Sequence, residues 1–84
     1  MKSIFYFTAD WCSPCKKVKP IVEELNKENL GTMFYIIDVD IEIEMAKKFE
    51  IQSVPTFVLI KNGVESNRIT GAKTREELLE FTNG

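Results

Sequence analysis

Apolar residues fall along the chain in two patterns, unbroken runs of strand length and one-sided stripes of helical spacing. Ile4-Phe5-Tyr6-Phe7 is the first run, closed by Thr8-Ala9-Asp10, and predicts a strand covered on both faces. From Cys15 onward Val18, Ile21, Val22 and Leu25 recur on one helical face, with Lys16, Lys17, Lys19, Glu23, Glu24 and Lys27 on the rest. The helix should reach about Glu28 and end at Asn29-Leu30-Gly31; Pro20, which lacks a backbone donor, should kink it. Met33 to Val39 is a second continuous run, rich in β-branched and aromatic residues, and predicts another buried strand. Asp40 can then cap a short helix with Ile41, Met45 and Phe49 facing the core and Glu42, Glu44, Lys47 and Lys48 facing water. Thr56 to Lys61 predicts a third strand, and Asn62-Gly63 a tight hairpin into Val64 to Thr70. Thr74 with Glu77 three residues on has the form of a capping box, opening a last helix that Leu78, Leu79 and Phe81 pack down.

The order is β-α-β-α-β-β-α. Early alternation implies parallel pairing through right-handed crossovers, and the hairpin adds an antiparallel pair. The expected fold is α/β, a four-stranded mixed sheet with helices on both faces.

The length of 84 residues supports one domain, residues 1–84, with one thin core. Eleven basic and thirteen acidic side chains are interspersed, which argues against the basic footprint of a nucleic-acid binder. Lys2, Asp10, Asp38, Asp40 and Lys61 interrupt every apolar run before it could cross a bilayer, so no membrane association is expected. Met1 to Phe7 has one positive charge and too short an apolar stretch for a signal peptide, which predicts a cytoplasmic protein.

Cys12 and Cys15 are the only cysteines, and there is no histidine. Cross-linking so short a loop contributes little stability, so a structural staple is a poor reading. Zinc needs four ligands and this pair supplies half, so a metal would have to be shared between two copies or use carboxylates; none is expected. Two core cysteines at this spacing by chance remain the plainest alternative. Placed where a strand gives way to a helix, however, Cys12 would meet unpartnered backbone N–H groups and the positive end of the helix dipole, both of which favour thiolate. Lys16, Lys17 and Lys19 either add positive potential or form a solvated face. Cys15, one turn inward, would be within bridging distance and less exposed. That asymmetry suits an outer sulfur that attacks a disulfide and an inner one that resolves the mixed disulfide. Pro14 would restrain the loop between them. Trp11 is either an apolar platform beside the nucleophile or an anchor for the strand end. Val54-Pro55-Thr56 precedes a strand, and the proline could form an ordinary turn or a cis bond.

Taken together, these segments resemble the thioredoxin family. Trp11-Cys12-Ser13-Pro14-Cys15-Lys16 is similar to the family's Trp-Cys-Gly-Pro-Cys-Lys site, with Ser13 in place of glycine; Pro20, Val54-Pro55-Thr56-Phe57, Lys61-Asn62-Gly63 and Gly71-Ala72 match in order. The resemblance covers about Ile4 to Phe81. It implies a thioredoxin-like fold, a cis Pro55 stacked on the cysteine pair, Val54 offering backbone groups to an extended substrate segment with Trp11, Pro55 and Thr56 around it, and Gly71 leaving room. Catalysis would fall to Cys12 and Cys15, supported by Trp11, Ser13, Pro14, Lys16 and Pro55. The implied partners are disulfide-containing proteins and a separate disulfide reductase, with no cofactor and a monomeric chain. The usual first strand and helix are not represented, which brings the size closer to a glutaredoxin. The family's buried aspartate would fall at Tyr6 and its lysine partner at Ile36, so the Cys15 proton must leave another way, such as directly to water.

Two other functions compete with protein-disulfide reduction. A glutathione-linked, glutaredoxin-like enzyme would use the same cysteines, but Ala72-Lys73-Thr74 after Gly71 lacks the Gly-Gly and acidic pattern of glutathione-binding relatives. A non-catalytic binding module would instead grip a partner through Trp11, Val54 and Pro55.

Overall fold

A computed structural model describes residues 2–28 and 31–84, with elements β1 (Lys2–Thr8), α1 (Ser13–Glu28), β2 (Met33–Asp38), α2 (Ile43–Lys48), β3 (Thr56–Lys61), β4 (Val64–Thr70) and α3 (Arg75–Thr82). Together they form a four-stranded sheet in the order β2-β1-β3-β4. β1 runs parallel to β2, with Tyr6 opposite Ile36, and antiparallel to β3, with Tyr6 opposite Phe57; β3 and β4 form the expected antiparallel hairpin. At its turn Asn62 and Gly63 have φ of 53° and 82°, the positive values a two-residue hairpin of this hand requires.

Alternation along β1 divides the interior in two. Ile4 and Tyr6 face α1 and α3, where Val18, Val22, Leu25, Leu78 and Phe81 join Phe57 and Leu59 in the larger core. Phe7 faces the other side with Ile37, Val58 and Ile60, and Met45, Phe49 and Phe5 cover that cluster. Burying these aliphatic and aromatic side chains on both faces is the main stabilising term, roughly 1.5–3 kcal/mol for each one fully buried. Asn26 fastens the end of α1 to β2, donating from Nδ2 to the Phe34 carbonyl and accepting the Phe34 N–H on Oδ1, each at 2.9 Å. The capping box forms as expected: Thr74 Oγ1 accepts the Glu77 N–H at 3.1 Å, and Glu77 Oε1 accepts the Thr74 N–H at 2.9 Å.

Three expectations are corrected. The Met33-to-Val39 run is not buried throughout: β2 ends at Asp38 and lies at the sheet edge, so Met33, Tyr35 and Ile36 are exposed while Phe34 and Ile37 are buried. Asp40 does not cap α2, because the Asp38 side chain takes the Asp40 N–H at 2.8 Å and the Asp38 carbonyl takes those of Ile41 and Glu42. That turn delays the helix to Ile43 and leaves Ile41 outside it, 74% exposed rather than in the core. Helix α1 begins at Ser13, directly after Cys12, as expected of a cysteine placed where a strand gives way to a helix. It continues through Pro20 to Glu28; the helix-ending residues Asn29 and Leu30 lie outside the described residues.

Candidate active site

β1 carries the chain into the site and releases it at Thr8. The turn that follows is closed by the Cys12 N–H, which donates to the Ala9 carbonyl at 3.1 Å, and the Lys16 N–H reaches back to the Cys12 carbonyl at 3.3 Å as α1 begins. Cys12 therefore sits at the helix entrance, where the first amides have no partner within the helix. One of them is used: the Cys15 N–H donates to Cys12 Sγ at 3.2 Å. The two sulfurs are joined as a disulfide, with Cα atoms 5.3 Å apart. In this oxidised state both residues are buried, Cys12 4% and Cys15 2% exposed, so the anticipated difference in exposure is slight.

The loop before β3 approaches from the other side. The Val54–Pro55 bond is cis, as the resemblance implies, and Cys12 Sγ lies 3.6 Å from the Val54 carbonyl oxygen. Val54 and Val39 pack against Ala9, Cys12 and Cys15, a small apolar surround for the sulfurs. Thr56 has its side chain buried, its hydroxyl donating to the Ser53 carbonyl at 2.7 Å, so that side chain holds the loop and is not offered to a partner. Gly71 donates its N–H to the Pro55 carbonyl at 2.9 Å and adopts a φ of 91°, so backbone conformation alone calls for glycine there. A Cβ at Gly71 would project into open space.

Trp11, Ser13, Pro14 and Lys16 are exposed around the disulfide. Trp11 is 68% exposed and so is not buried at the strand end, and its indole Nε1 donates to Asp40 Oδ2 at 2.9 Å. The role of Asp40 is not legible from residue order, since a turn residue after a strand reads first as a helix cap. Beneath the pair, the Tyr6 hydroxyl donates to the Cys15 carbonyl at 3.1 Å while its ring stacks on Phe57, centroids 4.9 Å apart and 10° from parallel. Burial raises the Tyr6 phenol above its ordinary value, opposed by a hydrogen bond with Thr8. Tyr6 thus stays neutral at physiological pH and acts as a structural donor. Among the described residues no three His, Cys, Asp or Glu side chains are arranged to hold a metal, and no helix is long and apolar enough to cross a membrane.

The arrangement has known counterparts. The thioredoxin family model matches residues 1–84. An H-type thioredoxin of Fagopyrum esculentum is 41% identical over 73 residues, 87% of this chain and 62% of the relative. A bifunctional thioredoxin reductase/thioredoxin of Mycobacterium leprae is 42% identical over 74 residues, 87% of this chain and 16% of that protein. The crystal structure of Fasciola hepatica thioredoxin superposes with a TM-score of 0.90 at 39% identity, covering 98% of this chain and 78% of that one. The chain spans about three fifths of the length of the plant relative it matches.

Proposed function

This chain belongs to the thioredoxin family, and from that premise we propose that it is a thiol-disulfide oxidoreductase that reduces protein disulfides through Cys12 and Cys15. The observation that carries this reading is the Cys15 N–H directed at Cys12 Sγ from 3.2 Å, at the entrance of a helix. An ordinary thiol, with pKa near 8.5, is only about 3% ionised at pH 7, and each unit of depression raises the ratio of thiolate to thiol tenfold, about 1.4 kcal/mol. A hydrogen bond and a helix dipole that favour the charged sulfur act in that direction.

In the reduced protein the Cys12 thiolate attacks one sulfur of a substrate disulfide, forming a Cys12–substrate disulfide and expelling the other substrate sulfur as a thiolate, which takes a proton. The Cys15 thiolate then attacks Cys12 Sγ, the mixed disulfide breaks, and the second substrate thiolate leaves and is protonated. The substrate gains two electrons and two protons, and the protein is left in the disulfide state described above. The exposed Trp11 platform and the Val54 carbonyl beside Cys12 suit an extended substrate segment lying across the site, with Ser13, Pro14, Lys16, Pro55 and Gly71 shaping its borders.

Recharging needs two electrons and two protons from a separate disulfide reductase. The relative in which a thioredoxin reductase and a thioredoxin share one chain supports that choice over glutathione. A monomer in the cytoplasm, where thiols are kept reduced, completes the reading. The test is insulin disulfide reduction with a thioredoxin reductase and, separately, with glutathione as donor. Cys12→Ser should abolish turnover and Cys15→Ser should accumulate mixed disulfide; equal activity of Cys12→Ser and the unaltered chain would refute the function.

A further inference from the structure

Resolution of the mixed disulfide requires Cys15 to lose a proton, and among the described residues no buried carboxylate or amine stands ready to accept it. Among the described residues Thr8 and Thr56 are the buried polar or charged side chains; no carboxylate or amine is buried. The buried Tyr6 hydroxyl already donates to the Cys15 carbonyl and is a weaker acid for being buried.

Beside Cys15, however, a cleft of about 330 Å³ runs between α1 and the ends of β1 and β2. Cys15 and Thr8 line its inner part, and the exposed side chains Asp10, Lys16 and Lys19 and the half-buried Asp38 line the remainder. At roughly 30 Å³ per molecule, that volume accommodates several waters. Ile36, which is 40% exposed, forms part of the wall from β2.

Resting on the redox reading above, we propose that this cleft is the solvent route to Cys15, carrying off the proton of its thiol and hydrating the thiolate that attacks Cys12. The proton passes to water or hydroxide in the cleft; the thiolate then forms the Cys12–Cys15 bond as the Cys12–substrate bond breaks. The charged groups that line the cleft with Cys15 are Asp10 from the loop after β1, Lys16 and Lys19 from α1, and Asp38 from β2, while neutral Tyr6 from β1 bonds the Cys15 carbonyl.

The experiment mixes reduced protein with a chromogenic aromatic disulfide, dithio-bis-nitrobenzoate, in a stopped-flow instrument. The first chromophore release reports attack by Cys12 and the second reports resolution by Cys15. In the unaltered chain the second rate should rise about tenfold per pH unit up to the thiol range, with no inflection in the carboxylate range. Ile36→Trp, which fills the cleft from β2, and Lys19→Trp, which fills it from α1, remove water from the thiolate and raise the Cys15 pKa. Each should slow the second phase about tenfold at neutral pH, equivalent to one pKa unit, and leave the first phase unchanged. Both positions are exposed, and an unchanged first phase reports an intact fold. An inflection in the carboxylate range, or a second phase indifferent to both substitutions, would overturn the cleft's role. Absence of the first phase in the unaltered chain would instead overturn the redox reading.

Discussion

The backbone N–H of Cys15 points at Cys12 Sγ from 3.2 Å, and the bond exists because α1 starts at Ser13, inside the motif that holds both cysteines. Had the helix begun at Cys15, where the apolar stripe starts, the amide would not be oriented by helical backbone. The nucleophile's environment is thus built from main chain, and it survives any side-chain change that leaves the first turn of α1 intact.

Trp11 is held by Asp40, whose Oδ2 accepts the indole N–H at 2.9 Å across the gap between the β1–α1 and β2–α2 loops. The pair is exposed, so its contribution to stability is small, about 1 kcal/mol or less. Asp40→Ala should free the indole and raise KM for a protein disulfide about threefold, with kcat and melting temperature nearly unchanged. Asp40→Asn retains an acceptor and should behave like the unaltered chain. Insulin-reduction kinetics on both variants check this.

Tyr6→Phe removes the hydroxyl that bonds the Cys15 carbonyl and keeps the ring stacked on Phe57. The loss should be about 1 kcal/mol, or about 4–8 °C in Tm for a domain this small. The variant also changes the alkaline limb. Burial raises the folded phenol above its unfolded value of about 10, so the stability it contributes is fully present below that pH and lost as pH rises through the folded value. Tyr6→Phe should flatten the fall in stability above about pH 10, measured by urea unfolding at stepped pH.

The capping box supplies the acid-side counterpart. Hydrogen bonds from the Thr74 backbone and side chain lower the Glu77 pKa, so its contribution is present above the ordinary carboxylate range and lost as pH falls through the lowered value. Thr74→Ala should cost about 1 kcal/mol at neutral pH. Hydrogen exchange should show Arg75 to Leu78 losing protection first, both in that variant and in the unaltered chain on acidification.

The fold and the cysteine pair could be read from residue order because local signals agreed with the whole: runs of apolar residues for β1 and β3, an amphipathic stripe for α1, Asn62-Gly63 for the hairpin and Thr74 with Glu77 for the last cap. β2 was misread as buried because a continuous apolar run does not reveal whether a strand is central or at an edge; that depends on pairing with β1. Asp40 and Tyr6 escaped for a related reason. Their partners, Trp11 and the Cys15 carbonyl, are 29 and 9 residues away, and only the closed sheet brings them together. Ile41 was placed in the core by helical spacing, but the Asp38 turn consumes the residues that would have begun that helix.

The measurement that tests the account most directly is the pH dependence of Cys12 alkylation by iodoacetamide in the reduced protein, followed by mass spectrometry with Cys15→Ser as the single-thiol control. An amide and a helix entrance directed at the sulfur should move the inflection well below the ordinary thiol value of about 8.5. An inflection at or above 8.5 would contradict the claim that the backbone activates Cys12.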